Sequence, residues 1–388
     1  MSPPLDLFAI AAPGLAPWLA AELRELQFGV DEVLPAGVAF RGGLREVYRA
    51  NLHSRIATRV VVRMAAFEAT HFSTLEKRLR AVEWARWIPA HAGVACRVTC
   101  RKSRLYHSGA VAERVQDAIA RSVPHRAVAV TDEDEDDGSD QLLLVRLDHD
   151  HCTISLDSSG ALLHRRGYRQ AVAKAPLRET LAAAMLRAAG WDGRRPLVDL
   201  CCGSGTIPIE AAMMARALAP GRNRSFAFER WPGFEARPWR ALQAAAHEAE
   251  RAASPVAIAG SDRDAGAIEA AAANAERAGV AADITFTRQA LSTARPVGSA
   301  PGLVAVNPPW GARIGEAAAL RNFYAALGKA MHGPFAEWDI AMLAADPHLV
   351  RHTRLPFQTV FATNAGGTPV TLGLANAGST APAESRSG

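Results

Sequence analysis

The chain has 388 residues, 49% of them hydrophobic and 21% charged, a balance that suits a globular protein of two or three domains and excludes a fibrous or disordered one. No apolar run approaches the roughly 20 residues of a membrane helix. The first fifteen residues lack a basic leader region, and the five cysteines have no framework spacing, which suits a reducing compartment. A cytoplasmic protein is expected, with no membrane partner. The net charge of +5 is unevenly spread: residues 41–130 hold 17 Lys and Arg against 6 Asp and Glu. A local field of that sign attracts phosphates.

The first 45 residues read as strand, helix, strand: DLFAIAA, then the amphipathic LAPWLAAELRELQF, then GVAFRG closed by Gly42-Gly43. LREVYRANLHSRIATRVVVRMAAFEA predicts a helix and a strand. FSTLEKRLRAVEWARWI predicts a helix, with Leu75, Leu79, Val82 and Trp87 near helical spacing. GVACRVTCRKS is a strand, with Cys96 and Cys100 on one face, read as packed thiols rather than metal ligands. HSGAVAERVQDAIARSV is a helix and LLLVRLDHDHCTISLDSSG a pair of strands. Between them Thr131–Asp140 carries seven acidic side chains, a self-repelling solvated loop without the spaced ligands of a calcium site. The whole stretch is a compact α+β module.

HRRGYRQAVAKAPLR (164–178) reads as a basic linker. After it, strands and helices alternate: LRETLAAAMLRAAG, PLVDLCC, TIPIEAAMMARAL, AIAGSD, RDAGAIEAAAANAERAG, ITFTRQA, GLVAVNPP, LRNFYAALGKAMHG and DIAMLAAD. The expected fold class is α/β, a doubly wound parallel sheet. Residues from Gly378 onward look disordered.

Two motifs in this half carry chemistry. The strand ending at Asp199 runs into Gly203-Ser204-Gly205 and then a helix. Glycines let the backbone approach a ligand, and the helix start offers free N–H groups. A phosphate-binding P-loop needs Gly-Lys-Ser/Thr, which is absent. A dinucleotide fold wants an acid about 20 residues further on; here Asp262 lies 57 positions past Gly205, at the end of the next strand. That spacing fits a nucleoside bound as S-adenosylmethionine, with Asp262 on the ribose hydroxyls and Asp199 facing the ammonium group. The alternative role for Asp199 is capping the turn. The second motif is Asn307-Pro308-Pro309-Trp310, also at a strand end. An exocyclic base amine is a poor nucleophile because its lone pair is delocalised into the ring. The Asn307 side-chain oxygen and the Pro308 carbonyl can accept from it, and Trp310 offers a stacking face. Asn-Pro also begins ordinary turns; the preceding glycine turn and acid favour the base-binding reading.

With these motifs the chain resembles the THUMP-domain RNA guanine-N2 methyltransferases, most of all the bacterial large-subunit ribosomal RNA type. The resemblance rests on LHRRGYRQ, APLRETLAAAML, DLCCGSGTIPIEAAMMARALAPGRNRSFAFERW, GSDRDAGAIEAAAANAERAG, NPPWGARIG and NAGGTPVTL. It runs from about residue 5 to 375 and is looser in the N-terminal half. It implies a ferredoxin-like segment over 1–45, a THUMP RNA-binding domain over 46–160, a linker over 161–178, a Rossmann-like methyltransferase domain over 179–376 and a tail over 377–388. It implies a monomer that needs no metal. Cofactor contacts fall on Asp199, Gly203, Gly205, Thr206, Asp262 and Arg263, the acceptor base on Asn307, Pro308 and Trp310, and RNA on Arg101, Lys102, Arg104, Arg165 and Arg166. The chain departs from the pattern in having Ala290 where many members carry an Asp for the adenine amino group. Three alternatives stay open: methylation of tRNA at guanosine-6, methylation of adenine N6, and a non-catalytic RNA-binding factor. The last draws on Ala290 alone.

Overall fold

The protein is described here by a computed structural model, which covers residues 3–130, 140–170, 177–309 and 317–378. The chain divides into two compact units. The first comprises residues 1–11, 19–163 and 221–245; the second comprises 12–18, 164–220 and 246–388.

The first unit is built on one eight-stranded sheet. Its strands are β1 (Leu5–Ile10), β2 (Val30–Leu34), β3 (Gly37–Gly42), β4 (Arg59–Glu68), β5 (Gly93–Arg101), β6 (Arg126–Val128), β7 (Gln141–Asp148) and β8 (His151–Asp157), in the order β2-β3-β1-β4-β8-β7-β5-β6. β4 pairs antiparallel with β8 from Val61↔Asp157 to Glu68↔His151. The two expected N-terminal modules therefore share a sheet. The sequence reading missed β2 and β6, an edge strand with three exposed central residues and a strand of three residues. The helix from Phe72 stops at Leu79 rather than running to Ile88, because the Trp84 indole N–H takes the Leu79 carbonyl at 3.0 Å and a separate 3-10 turn forms at Trp84–Arg86. The acidic run at 131–139 lies outside the described residues. Part of the basic excess is internal. Arg59 pairs with the fully buried Asp157 at 2.5 Å, and Arg49, Arg63 and Arg114 lie over the rings of Phe28, Phe8 and Phe72.

Residues 221–245, expected within the methyltransferase half, belong to this first unit. They bring Phe226, Phe228, Trp231 and Trp239, all buried. Phe228 stands 4.6 Å from the Tyr48 ring, and Trp231 meets Trp87 edge-on at 5.1 Å. Aromatic pairs of this kind add to their area burial.

The second unit is a seven-stranded sheet of β9 (Leu197–Asp199), β10 (Ile258–Asp262), β11 (Ile284–Arg288), β12 (Leu303–Val306), β13 (Asp339–Ala344), β14 (Gln358–Ala365) and β15 (Thr368–Ala375), in the order β11-β10-β9-β12-β13-β15-β14. The pairs β10–β11, β10–β9, β12–β9 and β12–β13 are parallel. β15 is antiparallel to both β13 and β14, so the sheet is mixed rather than all parallel. β9, β12 and β13 read as short, buried apolar runs, as expected where both faces of a parallel sheet are covered. Val198, Val304, Val306, Ile340 and Met342 anchor one core with Tyr324, Phe335 and Trp338. The first strand, β9, sits between β10 and β12. The strand order reverses there, and a crevice opens at the carboxyl edge of such a switch point. This topology places the ends of β9, β10 and β12 side by side.

Candidate cofactor and acceptor site

β9 ends at Asp199, and the turn Leu200–Gly205 delivers the chain to the helix Thr206–Ala215. Gly203 has φ +50° and Gly205 φ +83°, where a side chain is strained. The two glycines differ in what surrounds them. A Cβ on Gly205 would lie 2.9 Å from the Ala271 Cβ and 3.1 Å from the Phe286 ring, whereas one on Gly203 would meet nothing within 4 Å. Gly205 is thus the packed side of the turn and Gly203 its open side, the side on which a ligand fits. Gly205→Ala is expected to cost about 2–4 kcal/mol from αL strain plus overpacking. Urea unfolding checks this, and an unchanged midpoint would show that the turn relaxes.

Two carboxylates brace the turn. Asp262, at the end of β10, accepts from the Gly203 N–H at 3.0 Å through Oδ2 and from the Asp264 N–H at 3.0 Å through Oδ1. It remains half-buried. Asp199 is buried and accepts from the Cys201 N–H at 3.1 Å. Burial pushes its carboxyl up to about 8, against the lowering effect of that hydrogen bond, and nearby Asp262 pushes the same way. A cation arriving beside the turn would lower it again. Arg263 is exposed and Thr206 buried; the Thr206 hydroxyl accepts from Arg169 at 2.7 Å, so it braces the turn from inside. Ala290 is exposed and begins a 3-10 turn. Asp262→Ala is expected to weaken S-adenosylmethionine by about 2 kcal/mol, the scale of hydrogen bonds to a charged group. Calorimetric titration measures it, and an unchanged dissociation constant would place the ribose elsewhere.

Asn307 follows β12 directly. β12 pairs with β9 at Val304↔Val198, so Asn307 and the glycine turn leave neighbouring strands at the switch point. Asn307 is half-buried, Pro308 buried and Pro309 exposed. Trp310 lies outside the described residues.

The basic stretch at 164–178 differs most from its reading as a linker. Arg166 is buried, with Nε 3.6 Å from Oε1 of Glu210, itself fully buried. The expectation that Arg166 touches RNA is corrected: its guanidinium faces an interior carboxylate, where no phosphate can reach. Tyr168 donates its hydroxyl to the same Glu210 oxygen at 3.2 Å. Arg169 bonds the Leu177 carbonyl at 2.7 Å, the Thr206 hydroxyl, and Glu179 at 3.4 Å. Burial pushes Glu179 up to about 7. Arg277 donates to the Tyr168 carbonyl at 2.7 Å and to Asn274, whose amide holds the Ser204 carbonyl at 3.0 Å. This polar cluster packs behind the glycine turn. Its signal in the sequence was a lone acid in each of two largely apolar helices: Glu210 in TIPIEAAMMA and Glu179 in ETLAAAMLRA. Acids are almost never fully buried unless paired.

The remaining candidates for RNA lie mainly on the first unit. Arg101, Lys102 and Arg104 are exposed at the end of β5, beside the 68% exposed Tyr106. Arg104 is tied to Asp150 through its N–H at 2.6 Å. Arg165 is half-buried in the second unit. Cys96 and Cys152 are buried, and Cys100 half-buried. Among the described residues no helix is long and apolar enough to cross a membrane.

A seven-stranded mixed sheet with a glycine turn after its first strand, an acid after its second and Asn-Pro-Pro after its fourth defines the Rossmann-like methyltransferase class. The family model described as RMKL-like, methyltransferase domain, matches residues 166–366, and one described as the RlmL ferredoxin-like domain matches residues 6–61. The chain belongs to the RMKL-like methyltransferases, a family of S-adenosylmethionine-dependent RNA methyltransferases, with a ferredoxin-like module ahead of the catalytic fold. It is 35% identical to "Putative RNA methyltransferase slr0064" of Synechocystis sp., covering 94% of this chain and 95% of that one. It is 40% identical to the ribosomal RNA large subunit methyltransferase K/L of Syntrophotalea carbinolica, over 91% of this chain and 51% of the relative. The chain thus spans about half the length of that K/L relative. Among solved structures, "SMU.472, a putative methyltransferase complexed with SAH" superposes with a TM-score of 0.86 at 26% identity, over 98% of this chain and 100% of the other.

Proposed function

We propose that the protein methylates the exocyclic N2 of a guanine in large-subunit ribosomal RNA, using S-adenosylmethionine. The observation that carries this reading is the pairing of β12 with β9 at Val304↔Val198, from whose ends Asn307 and the glycine turn leave side by side. It puts the two acceptors for an amine beside the proposed cofactor turn. The named activity of the K/L relatives supports the ribosomal target, and their greater length leaves that target a proposal.

Within this reading, the cofactor supplies an electrophilic methyl group on a sulfonium. Asp262 holds the ribose hydroxyls, and Gly203 lets the backbone lie close to the ligand. Asp199 regains its charge beside the incoming cation. Asn307 Oδ1 and the Pro308 carbonyl accept from the guanine amine, turning its lone pair away from the ring as positive charge develops. The base has left its stack to reach them, and Trp310 provides a face for it. Arg101, Lys102 and Arg104 contact phosphates, which position the RNA without reading its sequence; residues 46–160 act as a THUMP domain in this reading.

The test is incubation with methyl-labelled cofactor and, separately, unmodified large-subunit ribosomal RNA and tRNA, followed by nucleoside analysis. N2-methylguanosine in the ribosomal RNA is expected. Label in tRNA alone would overturn the target and leave the chemistry, whereas N6-methyladenosine would overturn the chemistry.

A further inference from the structure

The end of β13 holds an acid that no step above uses. β12 and β13 run parallel, with Val306 opposite Met342. Adjacent strands lie about 4.8 Å apart. Asn307 and Pro308 leave the sheet one and two positions beyond Val306, and Asp346 stands four positions beyond Met342, on the same carboxyl edge. Asp346 is half-buried and caps the short helix after it, its Oδ1 accepting from the His348 N–H at 2.7 Å. Among the described residues no other hydrogen bond reaches this carboxylate, which leaves Oδ2 for a ligand. Tyr324, whose buried hydroxyl has no hydrogen-bond partner, packs in the same core as Val306 and Met342, beneath this edge.

We propose that Asp346 reads the ring nitrogen beside the methylated amine, accepting the N1–H of guanine. The inference rests on the base-methylation reading given above. Asn307 and Pro308 would hold an exocyclic amine on guanine or adenine alike, so they cannot choose between the bases. The neighbouring ring nitrogen can. It carries a hydrogen in guanine and a bare lone pair in adenine. A carboxylate bonds the first and repels the second, and repulsion of the wrong partner is half of specificity. A site built around a hydrogen bond rejects an analogue that lacks it far more strongly than an apolar pocket rejects a missing methylene.

The base 2-aminopurine separates the two roles, because it keeps the 2-amine and lacks the N1–H. Wild type and Asp346→Asn are compared on ribosomal RNA bearing guanine or 2-aminopurine at the methylated position, introduced by splinted ligation. Asn caps helices as well as Asp, so the variant keeps the local fold, and matched melting curves check this. Wild type is expected to favour guanine by about a hundredfold or more in kcat/KM. Asp346→Asn should narrow that ratio at least tenfold, because an amide N–H can donate to the bare N1. A purely structural role would lower both rates together. Wild-type methylation of guanine with the same ratio in the variant overturns the role of Asp346 and leaves the function standing. Methylation of adenine by the wild type overturns both.

Discussion

Asn307→Ala is expected to lower methyl-transfer turnover by roughly a hundredfold or more while leaving cofactor affinity near its wild-type value. The magnitude is that of removing one preorganised polar contact from a developing charge. The split between turnover and affinity follows from position. Asn307 reaches this edge on the strand beside β9, and that backbone placement survives truncation of the side chain. The lost group is the amide oxygen, whose hydrogen bond strengthens as the amine nitrogen becomes positive, so it acts on the transition state more than on binding. Single-turnover rates with saturating RNA, beside calorimetric titration of the cofactor, measure the two quantities. Near-normal turnover would remove Asn307 from the chemistry. A parallel loss of cofactor affinity would mean that the substitution had disturbed the turn.

The catalytic half was legible because its signals are local. A short apolar run ending in Asp199, a glycine turn and a helix are adjacent in sequence, and glycine is the residue that adopts the left-handed backbone at Gly203 and Gly205 without strain. Asp262 and Asn307 stand out in the sequence because each ends a strand, and parallel strands bring their carboxyl ends to one edge. Three features were hidden by long-range effects. The hairpin β14–β15 closes the sheet antiparallel, and its strands half-face solvent, so their pattern is weaker than that of β12 or β13. Residues 221–245 join the first unit through contacts distant in sequence, such as the Tyr48–Phe228 ring pair and the bond from the Glu235 N–H to the Tyr48 hydroxyl at 3.0 Å. The basic stretch at 164–170 misled because composition reports charge and not its destination. Arg166 and Arg169 point inward, and their carboxylate partners lie 10 to 44 residues away in the sequence.

Glu210→Ala is expected to destabilise the second unit by about 3–5 kcal/mol, the scale of leaving one member of a buried ion pair uncompensated. Glu210 is fully buried on a helix whose other residues are nearly all apolar. It faces the Arg166 guanidinium at 3.6 Å and accepts the Tyr168 hydroxyl at 3.2 Å. Removing it takes from the Arg166 guanidinium a buried carboxylate neighbour and deprives Tyr168 of its acceptor. Glu210→Gln keeps the volume and an oxygen for Tyr168, so it should lose less than Glu210→Ala. Replacing both Glu210 and Arg166 by apolar residues of similar size should cost less than Glu210→Ala, because no charge is then left unpaired. Urea unfolding of the full chain compares the three. A double replacement as damaging as the sum of its singles would show that the residues act independently. The pair matters for function through its neighbours: Arg169 holds the Thr206 hydroxyl and Asn274 holds the Ser204 carbonyl. Loosening the cluster should therefore weaken cofactor binding in step with stability, even though none of these side chains touches the open face of the turn.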